Sequence, residues 1–170
     1  MSFTIDRLQD SARSIITAHF LALSIRDRYL RFATAAPPHL VTQYVDTIDF
    51  TRDVVLGVHD STVRLEERGA LVGVAHTAFE GDLAEFGVSI LPAHRGQGLG
   101  SALLDRAVAL ARSRGMRRLW MQFLAHNVPI TRIARKIGMR IVQGGVHSCA
   151  HLDLSGRFGG DTNETRFAWT

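Results

Sequence analysis

One cysteine, two tyrosines, two tryptophans and four prolines stand in 170 residues, and each scarcity removes a class of protein. With Cys149 alone there is no internal disulfide, so the chain is not a cross-linked secreted scaffold. No apolar run reaches the length of a membrane span. The nearest, residues 15–25, is short and carries His19. The opening MSFTIDRLQDSARS lacks the basic-then-apolar pattern of a secretion signal. Aromatics are only 8% of the chain, and Trp120 and Phe123 lie in an apolar run. The arginines around 112–118 and 132–140 therefore read as solvated helix faces rather than a nucleic-acid surface, although the net charge is +4. These exclusions leave a cytoplasmic protein with neither a nucleic-acid nor a membrane partner. Its 46% apolar content is enough for one core, and residues 1–170 are expected to form a single domain.

Periodicity orders the chain. Residues 3–8 read as a strand; Asp10 or Ser11 can cap a helix to about Arg28, with Ile15, Ile16, Phe20 and Leu23 on one face. Pro37-Pro38 opens a second helix to about Asp46. Two apolar runs, 52–58 and 70–78, flank a charged stretch and form a hairpin, and residues 84–91 complete an antiparallel group. A long Ala/Leu-rich helix follows, ended by Gly115; residues 118–124, apolar on both faces, read as a covered parallel strand. Asn127 and Pro129 start another helix, and residues 139–142 and 147–154 close the order as strands. The tail, polar until Phe167 and Trp169, receives no assignment.

The stretch between the fourth strand and the long helix carries the chemistry. Gly96, Gly98 and Gly100 alternate just where helix amides lack intrahelical partners and the helix dipole is positive, so a bulky anion can approach the backbone. The spacing is not G-x-G-x-x-G, and no lysine precedes Ser101 as a Walker loop requires. The segment Ile90-Leu91-Pro92-Ala93-His94-Arg95-Gly96-Gln97-Gly98-Leu99-Gly100-Ser101 resembles the coenzyme A motif R/Q-x-x-G-x-G/A of the GNAT family of N-acetyltransferases, with its usual P-x-x-R-G lead-in. Asn127, Ile130, Ile133, Ala134, Lys136, Gly138 and Met139 are similar to the family pattern N-x-x-A-x-x-L-Y-x-K-x-G-F. The string Asp27 to Phe32 is similar to the opening of the branch that includes bacterial protein-lysine acetyltransferases.

The resemblance implies an α/β (α+β) fold: a mixed sheet of about seven strands with about four helices, splayed between the fourth and fifth strands. It implies acetyl-CoA as co-substrate, its pyrophosphate on the loop amides of Gly96, Gln97, Gly98, Leu99, Gly100 and Ser101, with Arg95 as the motif's first cofactor-binding residue. The pantetheine arm would pair with the backbone of Val88, Ser89 and Ile90, the Ile90 amide would polarise the thioester, and Asn127 would bond the arm. Glu85 matches a glutamate that acts as base in many members; the alternative site, on the fifth strand, holds Gln122, which cannot take a proton. The acceptor is a small-molecule or protein amine, and self-association as a homodimer is left open.

One departure stands out. Ala134 occupies the place of the tyrosine that often protonates the leaving thiolate, and His126 is the neighbouring candidate for that proton. The same departure supports the rival reading, an acyl-CoA-binding module without catalysis. His147, Cys149 and His151 alternate along one strand, but the outer two would stand about 13 Å apart in extended chain, too far for one tetrahedral ion. No metal is expected.

Overall fold

The computed structural model describes residues 3–60 and 70–155; the charged connection 61–69 and the tail with Phe167 and Trp169 lie outside them. Among the described residues are seven strands: β1 (Phe3–Leu8), β2 (Val54–Asp60), β3 (Gly73–Glu80), β4 (Leu83–Ile90), β5 (Arg118–Leu124), β6 (Arg140–Gly144) and β7 (His147–Asp153). They form one sheet in the order β1-β2-β3-β4-β5-β7-β6. All neighbours are antiparallel except β4 and β5. The helices are α1 (Arg13–Ala22), α2 (Ile25–Phe32), α3 (Pro38–Asp46), α4 (Leu99–Ser113) and α5 (Val128–Lys136).

The described residues hold five α-helices where the sequence suggested about four, because the first breaks at Leu23-Ser24. Leu23 turns extended, and the Ser24 hydroxyl accepts from the Asp27 amide to cap a new helix. Neither Asp10 nor Ser11 caps α1; they form a 3-10 turn whose side chains make no cap bond. β2 begins two residues later than periodicity indicates. Asp49 claims the preceding residues, its backbone carbonyl accepting from the Arg52 and Asp53 amides and its carboxylate from Thr51.

Strand alternation sends side chains to opposite faces, and each face has its own core. Ile16, Phe20, Val41, Val45, Val55 and Val74 pack α1 and α3 on one side. Leu103, Leu104, Ala107, Phe86, Leu119 and Met121 pack α4 on the other. Odd-numbered residues of β4, Glu85, Gly87 and Ser89, therefore face the layer of α1, α2 and α3.

A buried histidine fastens that layer to the sheet. His19, 2% exposed, places Nδ1 2.8 Å from the Leu71 carbonyl and Nε2 2.8 Å from Ser89 Oγ. A carbonyl only accepts, so Nδ1 carries the proton and the bare Nε2 accepts from the Ser89 hydroxyl. Burial holds the ring neutral, lowering its pKa to about 4 against the weaker upward pull of the Leu71 bond. The unfolded chain then binds a proton near pH 6.5 that the folded chain refuses until about 4, so stability falls with pH across that window. Chemical denaturation should register a loss of roughly 2 kcal/mol from this residue between pH 7 and pH 5. His19→Leu should be less stable at pH 7 but should show a visibly shallower pH dependence; an unchanged slope would remove His19 as its source.

Candidate active site

β4 and β5 pair at Leu83↔Arg118, Ala84↔Leu119 and Glu85↔Trp120, and no further. On its other edge β4 stays in register with β3 through Ile90↔Gly73. The two central strands thus part just beyond Glu85, as the family resemblance implied. Which backbone groups the gap exposes follows from alternation: Leu91 N–H donates to the Val72 carbonyl, so Ser89 and Gly87 also turn toward β3, while Val88 and Ile90 turn toward the gap. This corrects the expectation for Ser89. Its backbone belongs to the β3 ladder and its hydroxyl to His19.

The loop closing the gap runs from Leu91 through a 3-10 turn at Pro92–His94 to the start of α4. Gly96 and Gly98 hold φ of 75° and 80°, which a side chain would strain, and open space lies where their Cβ atoms would be. Gly100 differs, being an ordinary residue of the first turn whose Cβ would meet Ile133 at 3.7 Å, a normal contact. Leu99 is anchored in the core and Gln97 and Ser101 flank it, so this segment offers mainly backbone. Arg95 is already engaged: Nε donates to the Ile90 carbonyl at 3.0 Å and its guanidinium pairs with Asp27 at 2.8 Å. An anion on the loop would share Arg95 with that carboxylate.

On the helical side of the gap lies a cleft of about 370 Å³, lined by Arg31, Tyr44, His76, Glu85, Gln122 and Asn127 among others. Burial raises the pKa of Glu85; the positive charge of Arg31 opposes the rise and Glu80 adds to it. The carboxylate keeps an exposed edge, so it is partly desolvated yet open to proton exchange. Asn127 caps α5 through a long bond, 3.4 Å from Ile130 N–H to Oδ1, which leaves its amide nitrogen for the cleft.

A buried polar chain supports this wall. Asp53, 3% exposed, sits 3.1 Å from His76 Nε2, and His76 Nδ1 sits 2.7 Å from Tyr44 Oη. Burial lowers the pKa of His76, helped by Arg31 and opposed by Asp53. The neutral ring donates from Nε2 to the carboxylate, so bare Nδ1 accepts from the tyrosine hydroxyl. Tyr44 Oη then accepts from Arg31 Nη2 at 2.8 Å. Burial alone would raise Asp53, but bonds from Arg52, the Phe79 amide and His76 outweigh it and lower its pKa.

The structure brings Glu85, Val88, Ile90, Asn127 and the glycine loop to one gap. The sequence assigns no role to Arg31, Tyr44, His76 or Asp53; the signals it carries are a histidine within an apolar strand and the place of Arg31 in the family-like string Asp27 to Phe32. His126 is exposed and is not part of the cleft lining. Ala134 is buried in the core, and no described helix is long and apolar enough to cross a membrane.

Residues 23–139 match the model of the Acetyltransferase (GNAT) family. Streptothricin acetyltransferase of Streptomyces lavendulae is 32% identical over 65 residues, 38% of this chain and 34% of that protein; the chain thus matches about a third of that relative. The GNAT domain of S. lividans PAT superposes with a TM-score of 0.74 at 22% identity, covering 88% of this chain and 89% of that one. YncA of Salmonella typhimurium, a putative acetyltransferase solved with its cofactor acetyl-CoA, gives 0.66 at 20% identity, covering 95% and 99%.

Asp53→Ala should destabilise the fold by about 2–4 kcal/mol, because it leaves the His76 and Phe79 N–H groups buried without an acceptor. The carboxylate's lowered pKa means this contribution is complete above the usual carboxylate range and disappears as pH falls through the folded value. Urea unfolding at pH 7 and pH 3 measures both: a variant deficit present at pH 7 should shrink at pH 3.

Proposed function

The chain belongs to the acetyltransferase (GNAT) family, and from that premise we propose that it moves an acetyl group from acetyl-CoA directly to a primary amine, small or protein-borne, in a ternary complex. The observation that carries this reading is the parting of β4 from β5 after Glu85, with a positive-φ glycine loop at its far end.

The residues fit the co-substrate. Open space over Gly96 and Gly98, and first-turn α4 amides without intrahelical acceptors, suit a pyrophosphate. The gap-facing N–H and C=O groups of Val88 and the N–H of Ile90 suit an amide-bearing arm, while the Ile90 carbonyl is held by Arg95. Acetyl-CoA when bound supplies an activated thioester carbonyl. In this reading the Ile90 amide polarises that carbonyl, a contribution of about 3 to 4 kcal/mol for a well-placed donor.

Glu85 takes the proton that a substrate ammonium must lose before it attacks. Its raised pKa improves it as a base while Arg31 keeps the rise in check. Neither Ala134 nor His126 supplies the proton of the missing tyrosine, Ala134 being in the core and His126 outside the cleft lining. A thiol pKa near 8.5 permits departure as the anion, and the positive end of α5 favours it.

Two measurements test the reading. Coenzyme A should raise the melting temperature while NAD does not, saturating ligand at about 100 times Kd adding roughly 2.7 kcal/mol. Gly98→Asp should abolish the shift; its persistence would reduce the loop to a helix cap. Separately, Glu85→Gln should keep the coenzyme A shift but turn over about a hundredfold more slowly at pH 7, recovering as pH rises and free amine accumulates. Equal activity at all pH values would take Glu85 out of the mechanism.

A further inference from the structure

Among the described residues, Arg31 is a fixed charge with no carboxylate in direct contact. One of its five N–H donors, on Nη2, bonds Tyr44 Oη. Its Nε is buried without a hydrogen-bond partner, and no carboxylate among the described residues comes within ion-pair distance. Glu85 acts on it only at longer range. Yet the guanidinium lines the cleft, and the protein holds it there from several sides.

The rings of Phe20, Phe32 and Tyr44 stand 5.7, 4.9 and 5.4 Å from Cζ. Tyr44 is fixed in turn by His76 and Asp53. β4 leaves out a side chain to seat the group, since a Cβ on Gly87 would lie 2.6 Å from Cζ and from Nη2. Three aromatic rings, the His76 and Asp53 side chains that fix one of them, and a strand glycine thus position one cation over Gly87, two residues from Glu85 on the same strand face. Holding a cation so firmly while leaving Nη1 and part of Nη2 without acceptors among the described residues is what a planar anion requires.

We propose that Arg31 is an anion subsite of the acceptor cleft, and that the acceptor is a small amine carrying a carboxylate, which Arg31 takes through Nη1 and the second proton of Nη2 while the amine faces Glu85. This rests on the acetyl-transfer reading and narrows it. The sign of the field supports it. Glu85 offers the ammonium a negative charge and Arg31 offers a positive one beside it, so an amine with its own carboxylate compensates both, whereas a simple amine or a lysine side chain leaves Arg31 uncompensated.

The test compares amino acids with their α-amides, and with a lysine peptide, as acceptors in a thiol-release assay. At least one free acid should exceed its amide by about a hundredfold in kcat/KM, and Arg31→Met should bring that ratio below about tenfold while the coenzyme A melting shift persists. An amide or the lysine peptide used as well as the best acid by the native protein would overturn the proposal, whether or not the variant folds. If no acceptor releases thiol although coenzyme A still binds, the transfer reading itself fails. The subsite is then decided by melting shifts of the coenzyme-A-bound native protein: shifts with free acids and not with amides uphold it, and equal or absent shifts overturn it.

Discussion

Strand β4 is bonded along its whole length on one side and for only three residues on the other. A strand inside a sheet normally leaves no backbone group without a partner, since an unpaired buried amide costs as much as a lost hydrogen bond. Here the requirement is suspended beyond Glu85, and the open groups of Val88 and Ile90 create a place for a ligand that can complete the ladder. The rest of the fold holds the wedge. β3 keeps β4 rigid on the closed side, β7 does the same for β5 through Leu124↔His147, and α4 crosses beneath with its core against both.

The two faces of the wedge are treated differently. Toward α4 the packing is mostly apolar, as a close-packed core should be, with Thr77 and Ser148 as buried hydroxyls on that face. Toward α1, α2 and α3 the sheet carries buried polar side chains: His19 with Ser89, and Asp53 with His76 and Tyr44. Each link is satisfied and each ring tautomer is set by its neighbour, so this layer is held by direction-dependent contacts rather than by apolar area alone. Such networks fix orientation, and orientation is what a site beside Glu85 needs.

Local signals were legible and convergent ones were not. The strand, glycine loop and long helix follow one another within a single stretch, so spacing and turn chemistry disclose them; β5 was placed at both ends because its apolar run is bounded by Gly115 and Asn127. The break at Ser24 was hidden by apolar residues that continue in register on both sides of it. Ser89 was misjudged because alternation of amides depends on the partner strand, which sequence does not reveal. Arg31, Tyr44, His76 and Asp53 come from α2, α3, β3 and the turn before β2; none shows a role alone, and only the tertiary fold makes them one unit.

Gly87 carries a consequence beyond its own strand. Glycine in a strand interior ordinarily reads as a weakness, a residue with nothing to pack. Here it is the receiving half of a lock, because any side chain at 87 would occupy the volume of the Arg31 guanidinium. A side chain at 87 would leave the strand itself undisturbed and displace only the guanidinium, the flexible end of Arg31, from its seat. A substitution at 87 would therefore act on the charge of the cleft rather than on the stability of the strand.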